Sequence, residues 1–342
     1  MKIALIGTPQ SGKTTTFLAI AGPQSPHLLA DQKPHLAMID FVDARLKKMA
    51  DSEHSKKVTY IQIALLDSPV LSATPDKGLN FTQVRDADAF VHVLRAYDDY
   101  ENPLKIFQGM ESDFLLKDLE VVDQAMKKVK GELEKGRKER EKELPLLIKC
   151  QETLHQEKPL RSLSFTPEEM KQVRAYGFLS QKPLLVIVNI SEGEIGKKPE
   201  GIADYLTKSG FAWVPFSAKT EQELFELKEE ERAEFMTGLG IEKPARDEFV
   251  RLAFEAMGLI SFFTVGDEAK AWPLEKGKNV LEAAGKIHSD IARGFIRAEV
   301  YAYQDFVEHS SIPALKEKGR LRLEGKEYTV RDGDVLNIKF SV

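Results

Sequence analysis

Gly7-Thr8-Pro9-Gln10-Ser11-Gly12-Lys13-Thr14 decides the fold. The octapeptide has the spacing GxxxxGK[ST]. An apolar run at residues 2–6 precedes it and reads as a β-strand, and Thr15-Thr16-Phe17-Leu18-Ala19-Ile20 follows it and reads as a helix. In that order, glycines let successive N–H groups curl around a phosphate, while the helix start adds the positive end of its dipole. The expected phosphate-binding set is Gly7, Pro9, Gln10, Ser11, Gly12, Lys13, Thr14 and Thr15. Lys13 would reach the β- and γ-phosphates as the catalytic residue, and Thr14 would offer a hydroxyl to Mg²⁺, which favours oxygen ligands. The competing reading is a glycine turn before an ordinary helix. The restrictive pattern at the first strand favours nucleotide.

Outward from the loop, residues 58–66 form a β-rich run that ends at Asp67, where a second metal-side acid is expected. A turn at Asp67-Ser68-Pro69 is the plainer alternative. Residues 89–94, 183–188 and 211–216 supply further strands. The last two end at Asn189-Ile190-Ser191-Glu192 and Ser217-Ala218-Lys219, and polar residues at the carboxyl ends of parallel strands are where α/β sheets place ligands.

The remaining composition narrows the class. At roughly 150 residues per domain, 342 residues imply two to three domains. With 42% hydrophobic and 30% charged residues, the chain is an ordinary globular one rather than disordered or collagenous. The formal charge of −5, from 54 acidic and 49 basic residues, excludes a uniformly basic nucleic-acid binder but not a local basic face. A lone cysteine, Cys150, suits a reducing compartment. No apolar run approaches the ~20 residues that span a bilayer, so the expectation is a cytoplasmic protein without membrane contact.

Between these strands, Leu115, Leu119, Val122, Met126, Val129 and Leu133 recur at spacings of three and four. A charged tip at residues 135–143 and a return through Leu144, Leu147, Ile148 and Leu154 make an antiparallel helical hairpin. Thr166-Pro167-Glu168-Glu169 starts another helix, and the acidic stretch 221–234 reads as solvated helix faces. From about residue 258 the pattern becomes mixed β: 260–265, 295–303, 320–323, 328–330 and 335–340, with a helix near 280–292. Residues 259–342 carry 13 basic and 13 acidic side chains, so Lys316, Lys318, Arg320, Arg322 and Lys326 read as an exposed edge. His288 reads as a packing or hydrogen-bonding residue.

With these motifs in order, the chain resembles a translation-factor-class GTPase and, within that class, the YchF family of Obg-like ATPases. The phosphate loop matches, including Pro9. Asp43-Ala44-Arg45-Leu46 is similar to a family Asp-Pro-Arg-Leu element, and the ungapped spacing from it supports Asp67 as the third-motif aspartate. Asn189 and Glu192 resemble the family's Asn-x-x-Glu base motif, and Ser217, Ala218 and Lys219 its fifth motif. Residues 283–288, 294–300, 323–326 and 332–335 are close to its C-terminal signatures.

The resemblance implies an α/β P-loop NTPase, GTPase-like in its sheet (residues 1–110 and 182–257), with a helical hairpin inserted at 111–181 and a TGS-type β-grasp domain at 258–342. It implies ATP with Mg²⁺, held by Thr14 and Asp67, with GTP as the alternative. It also implies a ribosome or RNA contact, which the arm could serve; a monomer is expected. The chain departs from the family at Val70, in place of the glycine of Asp-x-x-Gly, at Asp31, in place of a threonine before Pro34, and at Ala30, in place of a cysteine. Leu71 stands where ordinary GTPases have a catalytic glutamine, as the family's own hydrophobic residue does. With no side-chain general base in view, slow turnover below ~1 s⁻¹ is expected. A non-hydrolysing nucleotide scaffold is the rival reading, and a small-molecule kinase a third that leaves the C-terminal pattern unexplained.

Overall fold

The computed structural model describes residues 1–22, 35–67, 81, 84–137, 140–309 and 311–341. The chain opens with β1 (Lys2–Ile6), α1 (Lys13–Ala21), β2 (His35–Phe41), α2 (Ala44–Ser52), β3 (Lys57–Thr59), β4 (Ile61–Asp67) and β5 (Ala89–Arg95). The helices α3 (Pro103–Glu134), α4 (Glu143–His155) and α5 (Pro167–Tyr176) follow, then β6 (Leu184–Asn189), α6 (Ile202–Lys208), β7 (Ala212–Phe216), α7 (Ala218–Glu226), α8 (Glu229–Gly238) and α9 (Ala245–Ala256). The chain closes with β8 (Leu259–Thr264), β9 (Glu268–Glu275), α10 (Val280–Ile287), α11 (Ser289–Arg293), β10 (Phe295–Ala302), α12 (Tyr303–His309), α13 (Ile312–Glu317), β11 (Arg322–Glu324) and β12 (Asp334–Phe340).

Two compact units divide these elements: Met1–Ala37 with Ala64–Leu252, and Met38–Ile63 with Ala253–Val342. The first sheet has the order β2-β4-β1-β5-β6-β7, and β1 pairs in parallel with β4 and β5, β5 with β6, and β6 with β7. Strands covered on both faces need apolar side chains throughout, and Ile3–Ile6 of β1 and all of β6 are buried. Parallel pairing brings the carboxyl ends of β1, β4, β5, β6 and β7 to one edge, where the loop 7–14, Asp67, Arg95, Asn189 and Ser217 begin.

The hairpin starts earlier than the heptad seam suggests. Asn102 caps α3 by accepting from the N–H groups of Leu104 and Lys105, and the first turns place Phe107, Met110 and Phe114 in the sheet core. Further along, Val122, Met126 and Val129 pack against Leu146, Leu147, Cys150 and Leu154 of α4. Ile148, expected on that seam, is instead 38% exposed. The buried positions 147, 150 and 154 follow helical spacing, and 148 lies off their face. Asp118 of α3 ties the arm to the approach of β6: its buried carboxylate accepts from the N–H groups of Leu179 and Ser180, both at 2.7 Å, and from Ser180 Oγ at 2.6 Å. One acid of the stretch 221–234 is likewise not solvated. Glu221 is buried and accepts from the N–H groups of Ala245 and Arg246, where α9 begins.

In the second unit a mixed sheet runs β11-β10-β12-β8-β9-β3. Its β-grasp core sets α10 against β8, β9, β10 and β12 through Val280, Ala283, Phe262, Leu274, Val300 and Leu336. Two strand assignments change. Residues 58–66 are not one strand, because Lys57–Thr59 pairs in parallel with β9 before the chain continues as β4. Residues 328–330 contribute only the isolated bridge Asn279↔Thr329, whereas Glu268–Glu275, unread in the sequence, forms β9.

Candidate nucleotide-binding site

Two glycines shape the loop after β1. Gly7 has φ 154, and a Cβ there would lie 2.5 Å from the Val93 carbonyl oxygen; Gly12 has φ 88, and a Cβ there would lie 2.1 Å from Asn189 Nδ2. No other residue type fits either place. Gln10, between them, holds a positive φ of 63 despite carrying a side chain. Gly12 is also the N-cap of α1, so no side chain occupies the first-turn N–H groups of that helix.

Lys13, Thr14 and Asp67 come together beside this turn. Thr14 Oγ1 donates to Asp67 Oδ2 at 2.8 Å, joining the loop to the end of β4. Asp67 is 1% exposed, and its Oδ1 has no hydrogen-bond partner among the described residues. His35 Nδ1 lies 3.9 Å from Oδ2. Burial pulls the Lys13 ammonium below the ordinary lysine range, and the Asp67 charge opposes that shift. The hydroxyls of Ser11 and Thr16 are also buried without a partner among the described residues. A hydroxyl and an unsatisfied carboxylate oxygen side by side are the donor chemistry that Mg²⁺ takes, and a half-buried ammonium over an open run of backbone N–H groups suits a polyphosphate.

The base-side residues divide into two groups. Asn189 is buried at the end of β6, where its Nδ2 donates to Ser11 O at 3.0 Å and its Oδ1 accepts from Ala218 N at 3.2 Å. One amide thus clasps the phosphate loop to the start of α7. Ser217 Oγ lies 2.8 Å from Thr220 Oγ1 within that turn. Glu192 stands exposed on a 3₁₀ turn, Glu192–Glu194, and Lys219 is exposed with its ammonium 3.8 Å from Glu223. Pro9 and Gln10 are exposed, and Thr15 is half-buried. Ala30, Asp31, Pro34, Ser68, Pro69, Val70 and Leu71 lie outside the described residues.

Sequence reasoning missed three residues that touch the loop. Tyr97 donates to the Gln10 carbonyl, Arg95 to the Gln10 side chain, and Glu101 accepts from Thr8. The available signal was an arginine ending the apolar strand β5 and a tyrosine two residues on, at the ligand edge of a parallel sheet.

Comparison with known proteins adds a lineage. The YchF-GTPase_C family model, described as a protein of unknown function (DUF933), matches residues 259–341. The Ribosome-binding ATPase YchF of Bacillus subtilis (strain 168) is 34% identical, over 99% of this chain and 98% of that protein. The Ribosome-binding ATPase YchF of Escherichia coli O157:H7 is 31% identical, over 100% and 99%. Among solved structures, the YchF GTPase of Schizosaccharomyces pombe superposes with a TM-score of 0.83 at 25% identity, covering 99% of this chain and 97% of that one. A GTP-binding protein from Pyrococcus horikoshii OT3, 16% identical with a TM-score of 0.64 and covering all of both chains, shares the fold.

Proposed function

The chain belongs to the YchF family, and we propose that it is a slow Mg²⁺-dependent P-loop ATPase whose nucleotide state governs binding to a ribosome or translation-related partner. The observation that carries the chemistry is the contact of Thr14 with Asp67 beside Lys13, at the carboxyl edge of the sheet. The partner rests on the names of the full-length relatives, which are ribosome-binding ATPases. Among the described residues no helix is long and apolar enough to cross a membrane; we place the protein in the cytoplasm as a monomer.

In this reading, the N–H groups of residues 12–14 and the Lys13 ammonium cradle the β- and γ-phosphates, while Gly12 keeps the backbone close enough to do so. Thr14 and Asp67 hold Mg²⁺, which neutralises phosphate charge when bound. Asn189 positions the loop against the turn at Ser217-Ala218-Lys219, and these residues with Glu192 form the base-binding side. An aspartate in the Asn-Lys-x-Asp motif of ordinary GTPases accepts from guanine N1 and N2, and its absence here is the reason for taking ATP over GTP. Water attack relies on positioning and charge neutralisation rather than on a side-chain base.

Thermal-shift titration with ATP, ADP, GTP and GDP, each with and without Mg²⁺, tests the reading, since a ligand of the native state stabilises by RT ln(1 + [L]/Kd). ATP should give the larger shift and Mg²⁺ should enlarge it. A larger GTP shift overturns the base assignment, and no shift with any nucleotide overturns the site.

A further inference from the structure

The segment 95–101, between β5 and α3, touches the phosphate loop three times. Tyr97 Oη donates to the Gln10 carbonyl oxygen at 2.6 Å, Arg95 Nη1 to Gln10 Oε1 at 3.3 Å, and Thr8 Oγ1 to Glu101 Oε2 at 3.2 Å. Tyr97 is half-buried, and Arg95 holds it: the guanidinium lies 4.9 Å from the centre of its ring and 4.4 Å from that of Tyr100. Asp98 in turn takes the guanidinium with two hydrogen bonds, Nε to Oδ1 at 2.8 Å and Nη2 to Oδ2 at 2.6 Å. A planar side chain held on its edge and faces has little freedom, and its neighbour's hydroxyl is correspondingly well aimed.

The target of that hydroxyl is a single peptide plane. Gln10 is the loop residue with a side chain at positive φ, a conformation such residues seldom adopt unaided. Carbonyl and N–H point in opposite directions across a planar peptide, so holding Gln10 C=O outward sets the direction of the Ser11 N–H, which donates to the Thr8 carbonyl at 3.2 Å and closes the turn of the loop. Ser11 directly precedes the first-turn N–H groups of α1 assigned to phosphate, and Asn189 holds its own carbonyl from the other side. Without the hydroxyl, Gln10 has less reason to stay at positive φ, and the Ser11 N–H would turn with it.

We propose that Tyr97 is a positioning residue of the phosphate loop: anchored by Arg95, its hydroxyl pre-sets the peptide between Gln10 and Ser11, and with it the Thr8–Ser11 turn that leads into the helix start assigned to nucleotide phosphates. The proposal deepens the nucleotide-binding reading and rests on it. A pre-set loop lowers the cost of binding without adding a contact to phosphate. Its loss therefore weakens ATP and ADP alike and leaves the chemical step nearly untouched, which is the signature of uniform binding.

The test compares full-length wild type with Tyr97→Phe, which removes one oxygen and keeps the ring under Arg95. Amide hydrogen exchange is measured without nucleotide, and binding of ATP and ADP by calorimetry with kcat and KM on the same preparations. We expect exchange at Ser11, whose N–H the Thr8 carbonyl holds, to quicken, and both dissociation constants and KM to rise, each by about three- to tenfold, the worth of one hydrogen bond, with kcat within twofold. Tyr97→Leu, which also gives up the stacking on Arg95, should raise KM further. Unchanged exchange at Ser11 in a folded Tyr97→Phe overturns the proposal whether or not nucleotide binds. Faster exchange with unchanged affinity also overturns it. If wild type itself binds no nucleotide, the site reading fails instead, and the exchange result still decides whether Tyr97 sets the loop.

Discussion

Two polar clusters in this molecule, each assembled from distant sequence, are completed to different degrees. In the first unit, Thr14 meets Asp67, yet Asp67 Oδ1, Ser11 Oγ and Thr16 Oγ1 are buried without partners among the described residues, and Gln10 holds a positive φ. In the second unit, Arg45 meets Asp43 and Asp332, and all four carboxylate oxygens are used. Asp43 Oδ1 accepts from Arg45 N and Nε, and Asp43 Oδ2 from Nε and Nη2; Asp332 Oδ1 accepts from Nη2 and Ser261 N, and Asp332 Oδ2 from Nη1. The guanidinium also lies over the Phe263 ring. Burial alone would raise the Asp332 carboxyl, but Arg45 and the Ser261 N–H hold it below the usual range. A saturated network stabilises the fold; unmet hydrogen-bonding capacity with a strained backbone is what a ligand site retains.

The contrast separates activity from stability. Asp67→Ala should lower kcat/KM for ATP by about 10²–10³-fold, the range seen when one preorganised electrostatic group is lost, and abolish the gain in ATP affinity from Mg²⁺. Its melting temperature should stay near that of wild type, because the carboxylate it removes is poorly satisfied. Equal damage to folding and turnover would erase the distinction. Arg45→Met should do the reverse, costing about 1–3 kcal/mol in urea denaturation and leaving ATP affinity within twofold. That range sits below the cost of breaking a fully buried pair because Asp332 is half exposed and solvent screens it.

His92 sharpens the rule from a third direction. It is fully buried in β5, neither ring nitrogen has a partner among the described residues, and the ring stacks on Phe107. Here unmet polar atoms sit in apolar surroundings without a strained loop, so the expectation is a stability cost rather than a site. Burial pushes its pKa down to about 3. The unfolded chain, titrating near ~6.5, therefore binds the proton first. Stability attributable to this group is intact above ~6.5 and falls as pH drops towards about 3, by up to about 1.4 kcal/mol per pH unit. His92→Leu should flatten the decline between pH 7 and 5 by about 2 kcal/mol, read from urea midpoints at the two pH values. An unaltered slope would show that other groups govern it.

The turn at residues 7–14 was legible because its shape, two glycines ahead of a helix start, lies in local spacing. Asp67 was legible as a polar residue ending an apolar strand. What Asn189 does was only half legible: the motif pointed to a base, but its bonds to Ser11 and Ala218 depend on two strands lying side by side. The meeting of residues 43–46 with 332–334 was invisible for the same reason, since both stretches stood out as motifs with no indication that they face each other. β9 escaped because two of its three buried residues, Ala269 and Ala271, are small and stand among charges, which leaves no apolar alternation to read. The Lys57–Thr59 segment escaped because nothing local distinguishes pairing with Glu268–Lys270 from continuing into β4. Long-range parallel pairing leaves little trace in a single sequence.

Phosphate release tests the central claim most directly. Full-length wild type and Lys13→Ala are each mixed with saturating ATP and Mg²⁺, without any partner, and free phosphate is followed over time. The account predicts slow turnover by wild type, below ~1 s⁻¹, and at least about a hundredfold less from Lys13→Ala. Equal rates from the two proteins, zero included, would contradict it.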